Sequence, residues 1–135
     1  METYTADAVA LLTYLIDALP RKTDRIFAAA ETGGTVIQAP STALGETLYS
    51  VSRDKDVRGV TLSGTPEKAR RTLLGSGPIS LVPVETTEIT EYARVVDRFS
   101  IYDAFIVASH RARNTKAVLT TDTVIEDAGI ETIWT

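Results

Sequence analysis

Short apolar runs rich in β-branched residues alternate with stretches of helical periodicity along the chain, and this alternation constrains the fold more than any other feature. Nearly all-apolar strands are typical of sheets that are covered on both faces. Strand–helix alternation favours parallel pairing with right-handed crossovers. The sequence therefore predicts a three-layer α/β/α sandwich with a short-stranded, mainly parallel central sheet, whose strands are expected at residues 4–6, 35–38, 79–84, 117–120 and 131–134.

Size and composition fit one domain spanning residues 1–135. The chain is 44% apolar and 24% charged, with a net charge of −4, which are ordinary globular values. It has no cysteine, which excludes disulfide scaffolds, Cys-ligated zinc and thiol catalysis, and its single histidine excludes two-His metal motifs. Because no membrane span or signal-peptide pattern is present, we expect a cytoplasmic protein without a membrane partner.

Local signals predict several helix boundaries. Pro20 is expected to end the first helix, whose apolar stripe begins at Val9. Ser41 or Thr42 is expected to cap the third helix. Residues 53–64 show no clear pattern and stay unassigned.

Four acidic residues stand where parallel α/β sheets bind ligands, outside the carboxyl ends of the strands. Asp7 follows the first strand and Asp122 the fourth, while Glu46 lies about one turn inside the third helix and Asp103 opens a very apolar helix. Each has an ordinary structural explanation. The three aspartates suit helix N-termini, and Glu46 suits an exposed position favoured by the helix dipole.

Considered together, the four acids indicate a shared site. If the first strand is central, they converge on one crevice, and no Lys or Arg lies within two positions of any of them. Clustered carboxylates repel one another and raise each other's pKa values, so a divalent cation is the simplest neutralising partner. Oxygen ligands favour Mg²⁺ or Mn²⁺, which can activate water for an in-line displacement at phosphorus.

The segments around these acids resemble those of the PIN-domain ribonucleases, particularly the single-domain VapC-type toxins of prokaryotic toxin–antitoxin pairs. The most specific match is Ser-Ile-Tyr-Asp-Ala-Phe-Ile-Val-Ala at residues 100–108. In addition, Pro40 precedes Glu46 by six positions, and Asp122 closes a Leu-Thr-Thr-Asp segment. The resemblance covers essentially the whole chain. One position departs from it, because Val9 stands where the family has a small polar residue two positions after the first Asp.

The resemblance implies a metal-dependent endoribonuclease that hydrolyses RNA phosphodiester bonds, with Mg²⁺ or Mn²⁺ as the cofactor. Its metal-binding and catalytic residues would be Asp7, Glu46, Asp103 and Asp122. It further implies the toxin of a toxin–antitoxin pair, with an antitoxin protein as partner and a homodimeric assembly to which the first two helices could contribute.

Further side chains are candidates for supporting roles. Thr120 or Thr121 is expected to orient Asp122 or a water molecule through its hydroxyl. Three basic residues near the end of the Asp103 helix are candidates for RNA phosphate contacts, although the helix dipole explains basic residues there equally well; they are Arg111, Arg113 and Lys116.

Two alternatives to a nuclease are open at this point. Val9 in place of the family's polar residue suits a non-catalytic PIN-like domain that binds RNA or a protein. A receiver domain or a haloacid-type phosphohydrolase is disfavoured, because the paired acids with a late Lys, or the Asp-x-Asp motif, are missing. His110 lies seven residues after Asp103, about 10 Å further along the helix, so we expect a packing or surface role for it.

Overall fold

A five-stranded, entirely parallel sheet forms the centre of the protein in a computed structural model that describes residues 1–135. A separate antiparallel pair lies outside it. The strands are β1 (Thr3–Ala6), β2 (Val36–Pro40), β3 (Asp56–Val57), β4 (Val60–Thr61), β5 (Ile79–Val82), β6 (Val118–Leu119) and β7 (Thr132–Ile133). The order in the main sheet is β5-β2-β1-β6-β7, so the first strand of the chain is the central one.

Seven α-helices accompany the sheet, and the predicted α/β fold class is confirmed. They are α1 (Ala8–Leu15), α2 (Arg21–Glu31), α3 (Ser41–Ser52), α4 (Pro66–Arg70), α5 (Thr86–Val95), α6 (Ile101–Arg113) and α7 (Thr123–Asp127). A π-helical turn, Arg71–Gly75, continues α4. None of these helices combines the length and apolarity needed to cross a membrane.

The main hydrophobic core lies between the sheet and the helices that pack on it. Its fully buried side chains come from the central strands and from several helices, and they include Leu11, Phe27, Ile37 and Leu119. Trp134, at the end of the chain, is half-buried against the same core. Burial of this continuous core fixes the sheet and thereby the edge on which β1 and β6 end.

The first helix differs from the prediction in length and in orientation. It ends at Leu15, five positions before the expected stop at Pro20, and Asp17 adopts a left-handed φ of 55° just after it. Val9 is 42% exposed, whereas Leu11 is fully buried. The predicted stripe was wrong because α1 is apolar nearly all round, and a helix without a polar face does not reveal which side faces the core.

The third helix also starts differently from the prediction. Pro40 occupies the N-cap position, and no side chain caps the helix. The Ser41 hydroxyl instead donates to the carbonyl oxygen of Val82 on the neighbouring strand at 3.3 Å. The helix follows β2 directly, so its first residues are held by the sheet.

The unassigned segment contains the β3–β4 hairpin. Its two central turn residues, Arg58 and Gly59, have φ values of 51° and 81°. A two-residue hairpin turn with positive φ at both positions matches the twist of the flanking strands. Arg at the first of these positions gives no sequence signal for such a turn, which explains why the hairpin was missed.

Candidate active site

Four carboxylates meet at the carboxyl edge of the sheet. Asp7 directly follows the central strand β1, and Asp122 follows β6 beside it. Asp103 lies in the first turn of α6, and Glu46 lies in α3. The charges of Glu46 and Asp122 act on Asp7, and the charge of Asp103 acts on Glu46. Four separate elements therefore bring these side chains within range of one another's charges, and we call this cluster the carboxylate pocket.

Asp7 is the most deeply placed member of the pocket, with 6% of its surface exposed. Its Oδ1 accepts a hydrogen bond from the Ala10 amide at 2.9 Å and so caps α1, while its Oδ2 accepts one from the Thr120 hydroxyl at 2.5 Å. Burial raises the pKa of Asp7 to about 6, although both hydrogen bonds lower it. Asp7 therefore both caps α1 and belongs to the carboxylate pocket.

Thr120 connects two of the acids. Its hydroxyl donates to Asp7 and accepts a hydrogen bond from the Asp122 amide at 3.0 Å, and the residue is 3% exposed. Thr121 is exposed to solvent. Of the two candidate threonines, Thr120 is therefore the one that bridges two acids. Its hydroxyl contacts the Asp7 carboxylate and the Asp122 amide, whereas the sequence analysis expected it to orient Asp122 itself or a water molecule.

Asp122 and Asp103 also combine capping geometry with proximity to each other. The Oδ1 of Asp122 accepts hydrogen bonds from the amides of Val124 at 2.7 Å and Ile125 at 3.3 Å, at the start of α7. The Asp103 amide donates to the Ser100 hydroxyl at 3.3 Å, as the capping motif predicts. Burial raises the pKa of Asp103 to about 6, and the adjacent Asp122 carboxyl, which is within hydrogen-bonding reach, raises it as well.

Glu46 lies half-buried on α3 at the side of the pocket. Burial raises its pKa, and the charge of Asp103 adds to the increase. Lys55, from the segment that leads into the hairpin, lowers it. Sequence reasoning did not place Lys55 beside Glu46, which lies nine positions earlier. The turn that ends α3 brings it back, and there the Lys55 amide donates to the Ser50 carbonyl oxygen at 3.3 Å. Lys22 was missed as well, and it lines a polar cavity together with Thr120 and Asp122.

The four carboxylates of the pocket are the type of ligand that a hard cation prefers. No Lys, Arg or His forms an ion pair with any of the four carboxylates. In the present arrangement no three acidic or histidine side chains are close enough together to enclose an ion. All four donors are carboxylates, and the pKa is raised at three of them, so uptake of protons or of a cation relieves the electrostatic cost of the pocket.

The predicted RNA-contacting basic residues lie away from the pocket. Arg111 follows Asp103 by eight positions, about 12 Å along α6. Arg113 pairs with the buried Glu88 at 2.7 Å and with Glu85 at 3.5 Å, so it is occupied in a structural ion pair. Lys116 precedes β6, at the opposite end of that strand from Asp122, and contacts Glu2 at 3.4 Å.

The single histidine also lies away from the pocket, near the end of α6. Its Nδ1 is 2.7 Å from the Thr115 hydroxyl, which in turn bonds to the Thr5 hydroxyl at 2.9 Å. Burial lowers the pKa of His110. These contacts describe a residue that joins α6 to the central strand.

Replacing Thr120 with Val is expected to destabilise the protein by about 1–3 kcal/mol, because the buried Asp7 carboxylate loses its donor and the Asp122 amide loses its acceptor. Thr121→Val is the same chemical change at the exposed neighbouring position, and its free energy of unfolding should stay within about 0.5 kcal/mol of that of the original protein. Urea unfolding at pH 7 measures both. Equal effects of the two substitutions would contradict the bridging role of Thr120.

Comparison with known proteins agrees with this architecture. The PIN domain family model matches residues 7–131, which is most of the chain. No protein with a curated description matches the sequence significantly.

Solved structures share the fold at low sequence identity. VapBC2 from Rickettsia felis, bound to a DNA fragment from its promoter, superposes with a TM-score of 0.72 at 13% identity, covering 98% of this chain and 99% of that one. The sarcin–ricin-loop-cleaving toxin VapC20 from Mycobacterium tuberculosis gives a TM-score of 0.70 at 16% identity, with the same coverage. Because the family model matches residues 7–131, a range that contains all four carboxylates of the pocket, the chain belongs to the PIN domain family.

Proposed function

We propose that this protein is a metal-dependent endoribonuclease in which Asp7, Glu46, Asp103 and Asp122 hold Mg²⁺ or Mn²⁺. The observation that carries the proposal is the convergence of four carboxylates, from four separate elements, on one pocket without a basic residue in an ion pair with any of them. Such a pocket is electrostatically costly, and clustered carboxylates with raised pKa values are typical of functional sites.

The chemistry follows from the donor set. A divalent ion bound by these carboxylates would activate water and offset the negative charge that develops as a phosphodiester P–O bond is hydrolysed. Asp7 is held by its hydrogen bonds with Ala10 and Thr120, so its direction into the pocket is fixed before substrate binds. Asp103 and Glu46 are partly exposed, which leaves an open side for a phosphate group. No protein nucleophile is needed, in agreement with the absence of cysteine.

We also propose that the protein acts as the toxin of a toxin–antitoxin pair, neutralised by an antitoxin protein, and that it works as a homodimer. Support comes from the family and from its structural neighbours, of which one is a VapBC2 assembly and another a toxin that cleaves the sarcin–ricin loop. A short neighbouring reading frame encoding a DNA-binding protein would support this biological role, and co-purification of the two products would test it.

Metal binding is testable without any RNA. Mn²⁺ added to metal-free protein should raise the melting temperature, because a ligand at a hundredfold excess over its Kd stabilises the folded state by about 2.7 kcal/mol. Asp103→Asn should reduce this rise and abolish metal-dependent cleavage of single-stranded RNA. Asp97→Asn removes one charge at an exposed position outside the pocket and should preserve both properties.

A different outcome would favour the second candidate function. Val9, two positions after Asp7, is apolar and 42% exposed, so it adds no ligand to the carboxylates. If millimolar Mn²⁺ leaves the melting temperature unchanged and no RNA is cut, the domain is better described as a non-catalytic module that binds RNA or a protein. Retained cleavage in Asp103→Asn would overturn the assigned roles.

A further inference from the structure

We propose that Tyr49, Arg53 and Lys55 form a binding surface for single-stranded RNA, which we call the α3 patch, and that it guides the substrate strand into the carboxylate pocket. This inference rests on the proposed function, because it assigns a path to the substrate of the same site. It is carried by the placement, exposure and charge of residues outside the pocket.

The α3 patch is continuous with the pocket through one stripe of α3. Glu46, Tyr49 and Arg53 are separated by three and four positions, so they lie on the same side of the helix. At 1.5 Å per residue, Tyr49 lies about 4.5 Å and Arg53 about 10.5 Å along the axis from Glu46. Lys55 is close enough to Glu46 to lower its pKa, which joins the far side of the patch to the pocket as well.

Tyr49 presents an aromatic surface that the protein does not use for its own core. The residue is 54% exposed, whereas Leu44 and Val51 on the same helix are buried. The Arg53 guanidinium carbon lies 4.9 Å from the ring centroid and the Lys55 ammonium nitrogen 5.7 Å from it. Both cations contact the ring, and the exposed part of Tyr49 is the surface on which a base can stack.

The cations of the α3 patch are free to meet phosphates. Neither Arg53 nor Lys55 forms an ion pair, whereas Arg70, Arg94 and Arg113 are each neutralised by a glutamate. The acids of the same segment do not neutralise them either. Asp56 accepts a hydrogen bond from the Thr61 hydroxyl at 2.7 Å, and Asp54, which has a left-handed φ of 49°, forms no ion pair.

An exposed aromatic ring beside two cations without ion pairs favours single-stranded RNA as the partner. Phosphates are repelled by four carboxylates, so a substrate needs positive charge beside the pocket to approach it. Single-stranded RNA is recognised through stacking of unpaired bases on aromatic rings together with Arg and Lys contacts to its backbone. The α3 patch offers both within about 10 Å of Glu46 along the axis of α3.

The test is RNA affinity measured by fluorescence anisotropy with a labelled single-stranded oligonucleotide in EDTA, where cleavage does not interfere. Tyr49→Ala should weaken binding about tenfold. Tyr49→Phe keeps the ring and should stay within about twofold of the original protein. Arg53→Ala should weaken binding about threefold to tenfold and reduce the slope of log affinity against log salt concentration by about one.

Arg111→Ala is the matched control, because it removes the same charge from an exposed position at the far end of α6. It should change the affinity by less than about twofold. The proposal is overturned if Tyr49→Ala binds RNA as tightly as Arg111→Ala, an outcome that would leave the α3 patch to a protein partner. Because binding is measured without metal, this failure is separate from failure of the nuclease proposal, which would appear as cleavage that survives Asp103→Asn.

Discussion

Asp7→Asn should abolish RNA cleavage and, at the same time, make the metal-free protein more stable at pH 7 by about 2–3 kcal/mol. The two effects have one cause, because the Asp7 carboxylate is buried at 6% exposure among other acids and lacks a cation. Asparagine can still cap α1, since Asn and Asp are equally good N-cap residues, and it can keep a hydrogen bond with Thr120. The substitution therefore removes the negative charge and keeps nearly the same side-chain shape.

The pH dependence follows from the direction of the shift. The pKa of Asp7 is about 6 in the folded protein and close to 3.8 when the chain is unfolded. Between these values the folded state holds a proton that the unfolded state has lost, so stability falls as pH rises from about 4 to about 6 and the loss stays constant above that. Asp7→Asn should lack this contribution, so its advantage over the original protein should be small at pH 4 and full at pH 7.

Urea unfolding in EDTA at several pH values measures the effect. Asp97→Asn, an exposed replacement of the same type, should show the pH profile of the original protein. Adding Mn²⁺ should reverse the ranking, because the original pocket gains a cation and the variant has lost a ligand. A variant that is less stable than the original protein at pH 7 in EDTA would contradict the electrostatic account of Asp7.

The features that local sequence can specify were predicted well. Apolar β-branched strands that alternate with helices predicted a parallel sheet, and Ser100 caps α6 as its motif predicts. The central position of β1 was only a condition of the site argument, and the structure meets that condition. Local patterns failed where the same residue types are compatible with more than one structure. The apolar sequence of α1 fits more than one rotation, and the turn at Arg58 relies on a φ value that its sequence does not favour.

The same distinction holds at the site. Acids that follow parallel strands reach one edge by topology, so Asp7 and Asp122 could be paired from sequence alone. The contribution of Thr120, rather than Thr121, depends on which side chain faces inward after a two-residue strand. Lys55 returns to Tyr49 through the left-handed turn at Asp54 that ends α3, and without a glycine there the sequence does not mark this turn.

The ion pair between Glu88 and Arg113 is another contact that sequence reasoning did not find, and breaking it should have the largest effect on stability. Glu88 is 2% exposed and its carboxylate is 2.7 Å from the Arg113 guanidinium, which joins α5 to the end of α6. Burial raises the pKa of Glu88, but the Thr87 hydrogen bond and the charge of Arg113 outweigh it and hold the pKa below its usual value. Arg113→Met leaves this carboxylate buried without its partner and should cost about 3 kcal/mol at pH 7.

The cost should shrink in acid, and two further variants isolate its origin. In the original protein the lowered pKa of Glu88 adds stability at neutral pH that is lost as pH falls, whereas in Arg113→Met an unpaired carboxylate is relieved by protonation. The two unfolding free energies should therefore converge toward pH 4.

Arg94→Met breaks the more exposed pair with Glu91 and should cost less than about 1 kcal/mol. Replacing Glu88 by Leu together with Arg113→Met should recover most of the lost unfolding free energy, since the penalty comes from the buried Glu88 carboxylate without its partner. If Arg113→Met costs no more than Arg94→Met, the pair does not stabilise the contact between α5 and α6.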